Sequence, residues 1–173
     1  MDSDNVNEAR EAIESTVKRY FVGVRGFRIR RRHYFKNLDG VQHAAFLARG
    51  SYGPDYDMDY QATLLCGEDS DLKSYARVSD IFGGIGWLSG RKPGVLEIMD
   101  AAIEMPVLAR INRIQTLLEE DAEKWYSRVS TPEDLRKTIR EAWHDKLKNY
   151  IPMAKGALKV GIDPWPEGKP DYI

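Results

Sequence analysis

Cysteine is nearly missing from this chain: its 173 residues include one, Cys66, and only three histidines, His33, His43 and His144. A single cysteine excludes an intramolecular disulfide and fits a reducing compartment. The histidines are scattered, and no two stand four residues apart, the spacing that lets a helix offer two imidazoles to a metal. No metal and no cofactor is therefore expected. Long apolar runs are also absent, so no membrane-spanning segment is expected. The opening Met1-Asp2-Ser3-Asp4 has neither the basic nor the apolar stretch of a secretory signal, which makes a cytoplasmic location the expectation. An excess of one charge is missing too: 26 Lys and Arg stand against 27 Asp and Glu, a formal net charge of -1. A general nucleic-acid coat is excluded on that ground, and any attraction to anions must come from a local patch.

Such a patch is present. The run Arg25-Gly26-Phe27-Arg28-Ile29-Arg30-Arg31-Arg32-His33-Tyr34-Phe35-Lys36 reads as one strand. At a period of two it places Phe27, Ile29, Arg31, His33 and Phe35 on one side and Arg28, Arg30, Arg32, Tyr34 and Lys36 on the other. The turn signal Asn37-Leu38-Asp39-Gly40 leads to a second strand over about 41–49. With a two- or four-residue turn, Ala44, Phe46 and Ala48 join Phe35, while His43 and Arg49 join the cationic side. A three-residue turn would reverse that partnership. A third strand is expected over about 60–66, and 74–82 reads as a fourth edge strand or a short helix.

Helices flank these strands. Ala9, Ala12, Ile13, Val17, Tyr20 and Phe21 recur at helical spacing over about 7–22, with Arg10, Glu11, Glu14, Lys18 and Arg19 facing away. Later stripes run through Val95, Ile98, Met99, Ala102 and Ile103, and through Leu108, Ile111, Ile114, Leu118, Ala122 and Trp125. Thr131-Pro132-Glu133-Asp134 has the cap, the N1 proline and the first-turn acids of a helix start. That helix is expected to carry Leu135, Ile139, Trp143, Leu147 and Tyr150 inward and to end near Pro152. The order gives an α+β fold: an N-terminal helix, an antiparallel meander of three to four strands, and C-terminal helices on one sheet face. Residues 1–160 form one domain, followed by an extended proline-rich tail over 161–173. The uncovered sheet face, carrying the arginines, is then expected to meet water or a partner.

Other candidates for chemistry are weak. Asp55-Tyr56-Asp57-Met58-Asp59 opens like a calcium loop but has Tyr60 where glycine is required and Cys66 where a bidentate glutamate is required. It reads as a carboxylate cluster that can balance the arginines. Gly84-Ile85-Gly86-Trp87-Leu88-Ser89-Gly90 is followed by Arg91-Lys92-Pro93-Gly94, which breaks the helix a dinucleotide fingerprint needs. It reads as a loop presenting Trp87, either as an interface anchor or folded into the core. The acids around Glu119 and Glu120 read as a solvated helix face, and Cys66 as a small buried hydrophobe.

Gly26-Phe27 after a first helix, Tyr34-Phe35, Asp39-Gly40, Leu47-Ala48 and the later Arg113-Ile114 and Asp121…Trp125-Tyr126 resemble a group of small uncharacterised bacterial α+β domains, some associated with toxin-immunity and defence loci. The resemblance implies a binding role rather than an enzymatic one and transfers no catalytic residue. The expectation is a non-enzymatic binding protein of immunity or inhibitor type. It would dock an acidic protein surface through Arg28, Arg30, Arg32, Tyr34, Lys36 and Arg49, with His43 and Trp87 beside them. Two alternatives stay open: nucleic-acid binding by the same face, with Tyr34 and Trp87 stacking on bases, and an enzyme or small-ligand protein with a pocket between sheet and helices, using Arg31 and His33.

Overall fold

The computed structural model describes residues 3–51, 53–86, 88 and 92–168. Helix α1 spans Ser3–Lys18 and runs on as a π-helical end over Arg19–Val24. Strands follow at Arg28–Arg30 (β1), His33–Leu38 (β2), Val41–Arg49 (β3), Tyr56–Leu64 (β4) and Ile81–Gly84 (β5). Helices α2 (Lys92–Met99), α3 (Val107–Arg128) and α4 (Pro132–Trp143) come next, then strand β6 (Ile151–Pro152) and helix α5 (Ala154–Lys159). The six strands form one antiparallel sheet in chain order, and the fold is α+β as expected, with more strands than the sequence suggested. Among the described residues no helix is long and apolar enough to cross a membrane.

The basic run is not one strand. It folds back on itself as a tight hairpin: Arg28 pairs with Phe35 and Arg30 with His33, leaving Arg31 and Arg32 as a two-residue turn. Arg31 takes a left-handed φ of 58°, which the short turn demands. Cross-strand partners share a face, so Arg28 and Arg30 lie with His33 and Phe35, while Ile29, Tyr34 and Lys36 lie on the opposite face. The single cationic face read from the sequence therefore does not exist.

The turn at Asp39-Gly40 holds two residues, with Leu38 opposite Val41 and Gly40 at φ 87°. Ala44, Phe46 and Ala48 accordingly join Phe35, as expected, and His43 and Arg49 join Tyr34 and Lys36. The helices cover the second of these faces, the one anticipated to be open. Strand β4 explains why. It starts earlier than its sequence suggested and alternates Tyr56, Met58, Tyr60, Ala62 and Leu64, all buried, with Asp57, Asp59, Gln61 and Thr63. Paired as Leu47 to Met58 and Ala45 to Tyr60, β3 and β4 present the largest apolar surface on the Tyr34 side, and α1 and α3 pack there. Trp125 of α3 is fully buried at the centre, stacked between Tyr60 and Tyr150 at centroid distances of 6.3 and 5.2 Å. Gly83 makes room for it, since a Cβ there would stand 3.1 Å from the indole. The other sheet face is partly covered by the chain over 70–80, whose Tyr75 stacks on His33 at 3.8 Å.

Helix α4 begins as its cap predicted, with Thr131 accepting from the Asp134 amide. It ends at Trp143 rather than near Pro152, because Asp145 and Asn149 turn left-handed at φ 56° and 73°. The chain is thereby freed to add β6 to β5, Ile81 facing Pro152. Helix α5 is then pinned by Lys159, whose ammonium donates to Asp80 (2.8 Å), Asp69 (2.6 Å) and the Leu64 carbonyl (2.8 Å).

Arg110 in α3 is fully buried, and among the described residues it closes no ion pair, although the Asp100 charge lies near enough to act on it. Its guanidinium donates to the carbonyls of Ile98 (2.7 Å), Asp100 (2.9 Å) and Ile103 (2.5 Å), closing the C-terminal end of α2. These carbonyls lie in the last turn of α2 or just past it, where the helix itself supplies too few amide donors. Arg110→Met, which keeps the bulk but removes the donors, is expected to lower stability by about 3 kcal/mol. A urea unfolding midpoint equal to that of the parent protein would show that the cage contributes nothing.

Candidate anion-binding groove

The described residues singled out from the sequence go to five different places. Arg28 and Arg30 stand exposed on the outer sheet face, the first over the Phe35 ring at 5.0 Å and the second donating to Ser74 Oγ at 3.1 Å. Lys36 lies at the sheet margin and donates to the Arg25 carbonyl at 3.1 Å. His43 is buried against α3, its Nε2 2.9 Å from the Val129 carbonyl. Trp87 lies outside the described residues. Arg32, Tyr34 and Arg49 meet at the open flank of α1, and with them Arg31. Cys66 is half-buried just past the end of β4.

At that flank the fold makes an open trough of about 590 Å³. One wall is the polar side of α1, from Asn7 through Arg10 and Glu14 to Lys18, residues that recur at helical spacing. The hairpin turn forms the other wall, and Ile29, Tyr34 and Leu47 supply an apolar floor. Tyr34 is buried against Phe21, ring centroids 5.1 Å apart. Burial and the nearby Glu14 charge push its phenol up to about 12, against the opposing pull of Arg32.

The charges in the trough are unequal. Glu14 is satisfied locally, accepting from Arg49 Nη2 (2.6 Å), Arg49 Nε (3.1 Å) and Tyr56 Oη (2.8 Å). Burial opposes its ionisation, but these hydrogen bonds and the Arg49 and Arg32 charges outweigh that and hold the carboxyl below its ordinary range. Arg10, Lys18, Arg31 and Arg32 have no such partner: among the described residues none of their side chains donates a hydrogen bond or closes an ion pair. Arg10 Nε is sealed from solvent and still unmet. Four unpaired cations beside one lone acid, Glu11, make an anion-attracting groove, and guanidinium groups there can take carboxylates in bidentate fashion.

The acids expected to balance the arginines are elsewhere. Asp57 and Asp59 belong to β4 rather than to a loop, and both project from the outer face. Asp59 is half-buried, and burial, aided by the Asp57 charge, raises its carboxyl from 3.8 to about 6. Between those values the folded chain holds a proton that the unfolded chain has lost, so stability falls as pH rises through that window. Asp59→Asn is expected to stabilise the fold at neutral pH by on the order of 1 kcal/mol, less than the full shift implies because the side chain is partly solvated. The gain should vanish near about pH 4, where the native carboxyl is already protonated. Equal melting temperatures for the two proteins at neutral pH would refute the assignment. Set against known proteins, the chain matches no family model, no curated protein and no solved structure.

Proposed function

We propose that this chain is a non-enzymatic binding protein that takes an acidic segment of a partner protein into the groove between α1 and the Arg31-Arg32 turn. The observation that carries this reading is the set of four cations, Arg10, Lys18, Arg31 and Arg32, lining one trough and closing no ion pair among the described residues, with Glu11 the one unpaired acid beside them. A solvated surface can hold scattered lysines and arginines at no cost. Like charges gathered on facing walls repel, and an anionic occupant relieves that repulsion.

The shape favours a segment of chain over a flat surface. The α1 wall from Asn7 to Lys18 runs about 16 Å at the helical rise. That length holds about five residues in extended form. The exposed Ile29 on the trough floor suits a hydrophobic residue, and the cationic rim suits acids beside it. A protein that neutralises another by occupying such a segment, in the manner of an immunity or inhibitor protein, is the concrete form of the proposal. Nucleic-acid binding finds less support, because Tyr34 is buried and cannot stack on a base.

The test uses a fluorescent peptide of alternating glutamate and leucine and a single-stranded oligonucleotide of similar length. The peptide is expected to bind, and Arg31→Glu with Arg32→Glu to weaken it by about a hundredfold. Both side chains sit on the turn, so folding should persist by circular dichroism. Binding that is unchanged in the double variant would overturn the proposal. So would tighter binding of the oligonucleotide with a steep logarithmic salt dependence.

A further inference from the structure

A second cavity, of about 460 Å³, lies at the opposite end of the same sheet face, between β2, β3 and the C-terminal half of α3. Its size falls within the range of small-molecule pockets. The π-helical end of α1 shapes its mouth. There the Arg25 amide bonds to the Tyr20 carbonyl and the Phe27 amide to the Phe21 carbonyl, a wider winding than an α-helix allows. That winding leaves Val24 70% exposed on the lip, across from the half-exposed Leu38 of β2. Such π-helical turns recur at functional sites.

The cavity wall includes His43, which is 97% buried by the packing of Tyr126 against its ring at 4.8 Å. A carbonyl oxygen only accepts, so the contact with Val129 fixes the proton on Nε2 and leaves the lone pair on Nδ1. Burial, with the charges of Arg25 and Lys36, lowers the imidazole's pKa despite the opposing Val129 bond, which keeps the ring neutral at physiological pH. Among the described residues Nδ1 makes no hydrogen bond, and the ring lines the cavity, so Nδ1 is the acceptor left for a ligand there. Beside it stands the Lys36 ammonium, with one of its three donors used on the Arg25 carbonyl. The Arg25 guanidinium lies over the Tyr126 ring and 3.7 Å from Glu123, which offsets part of its charge. Among the described residues no carboxylate pairs with Lys36.

We propose that this cavity binds a small N-acylated apolar amino acid: its carboxylate on Lys36 and Arg25, its amide N–H on His43 Nδ1, and its side chain against Val24 and Leu38. Each part of the ligand answers a group that the protein leaves open. An anion alone would meet the His43 lone pair unfavourably, and an apolar ligand alone would leave the ammonium unmatched. The site is separate from the groove along α1 and does not depend on what the groove binds.

N-acetylleucine is the probe, followed by NMR of the His43 ring in the full chain. Saturable shifts of the His43 resonances at millimolar probe are expected, with N-acetylleucinamide, which lacks the carboxylate, giving none. Lys36→Met should weaken N-acetylleucine by about tenfold. Val24→Glu, at an exposed position that leaves the core intact, should abolish the shifts by placing a like charge on the lip. Arg31→Glu should leave them unchanged. Absence of saturable shifts in the parent protein, or equal binding of acid and amide, would overturn the proposal.

Discussion

The pairing of β3 with β4 is the constraint on which the remaining architecture rests. Nine consecutive residue pairs, from Val41 opposite Leu64 to Arg49 opposite Tyr56, lock the two longest strands together. That register gathers Leu47, Met58, Ala45 and Tyr60 on one face, and Trp125 stacks on Tyr60 there. A slip of one residue would turn the buried row of β4 outward and bring Asp57 and Asp59 beneath the helices. Burial of that apolar row holds α1 and α3 in place, and their placement creates both cavities: the trough on the open flank of α1 and the pocket beside the end of α3.

The coarse architecture was legible in the sequence because it depends on periodicity. The α1 stripe, the Thr131 cap and the Asp39-Gly40 turn each set one element with local chemistry, and the structure holds all three. The side of the sheet that the helices cover was not legible from the basic run, because a run of arginines and aromatics carries no marker of its own reversal. No glycine or asparagine announces the turn at Arg31-Arg32, and Arg31 adopts a left-handed φ without the usual residue for it. The decisive signal lay further on. Tyr56-Asp57-Met58-Asp59-Tyr60-Gln61-Ala62 alternates cleanly as a half-buried strand, yet its acids invite reading as a loop.

The site followed the same pattern. Arg32 and Arg49 were singled out and do meet, but through a turn and a strand end rather than along one face. Arg10 and Lys18 were visible only as the polar side of an amphipathic helix, a reading that fits almost every surface helix. What distinguishes them is their opposition to the hairpin, and no linear pattern records which two polar surfaces face each other. His43 was grouped with the arginines by register, which was correct for the strand but placed it on the covered face.

The last strand has a temporal consequence. Strand β6 and helix α5 reach the sheet only after about seventy further residues have been made beyond β5. During synthesis the β5 edge, with Ile81 and Phe82, is therefore an unpaired template. Asp80 meanwhile waits for the ammonium of Lys159. The nascent meander is vulnerable to pairing with a neighbouring chain until β6 and α5 arrive to seal it, so these two elements serve as a folding guard.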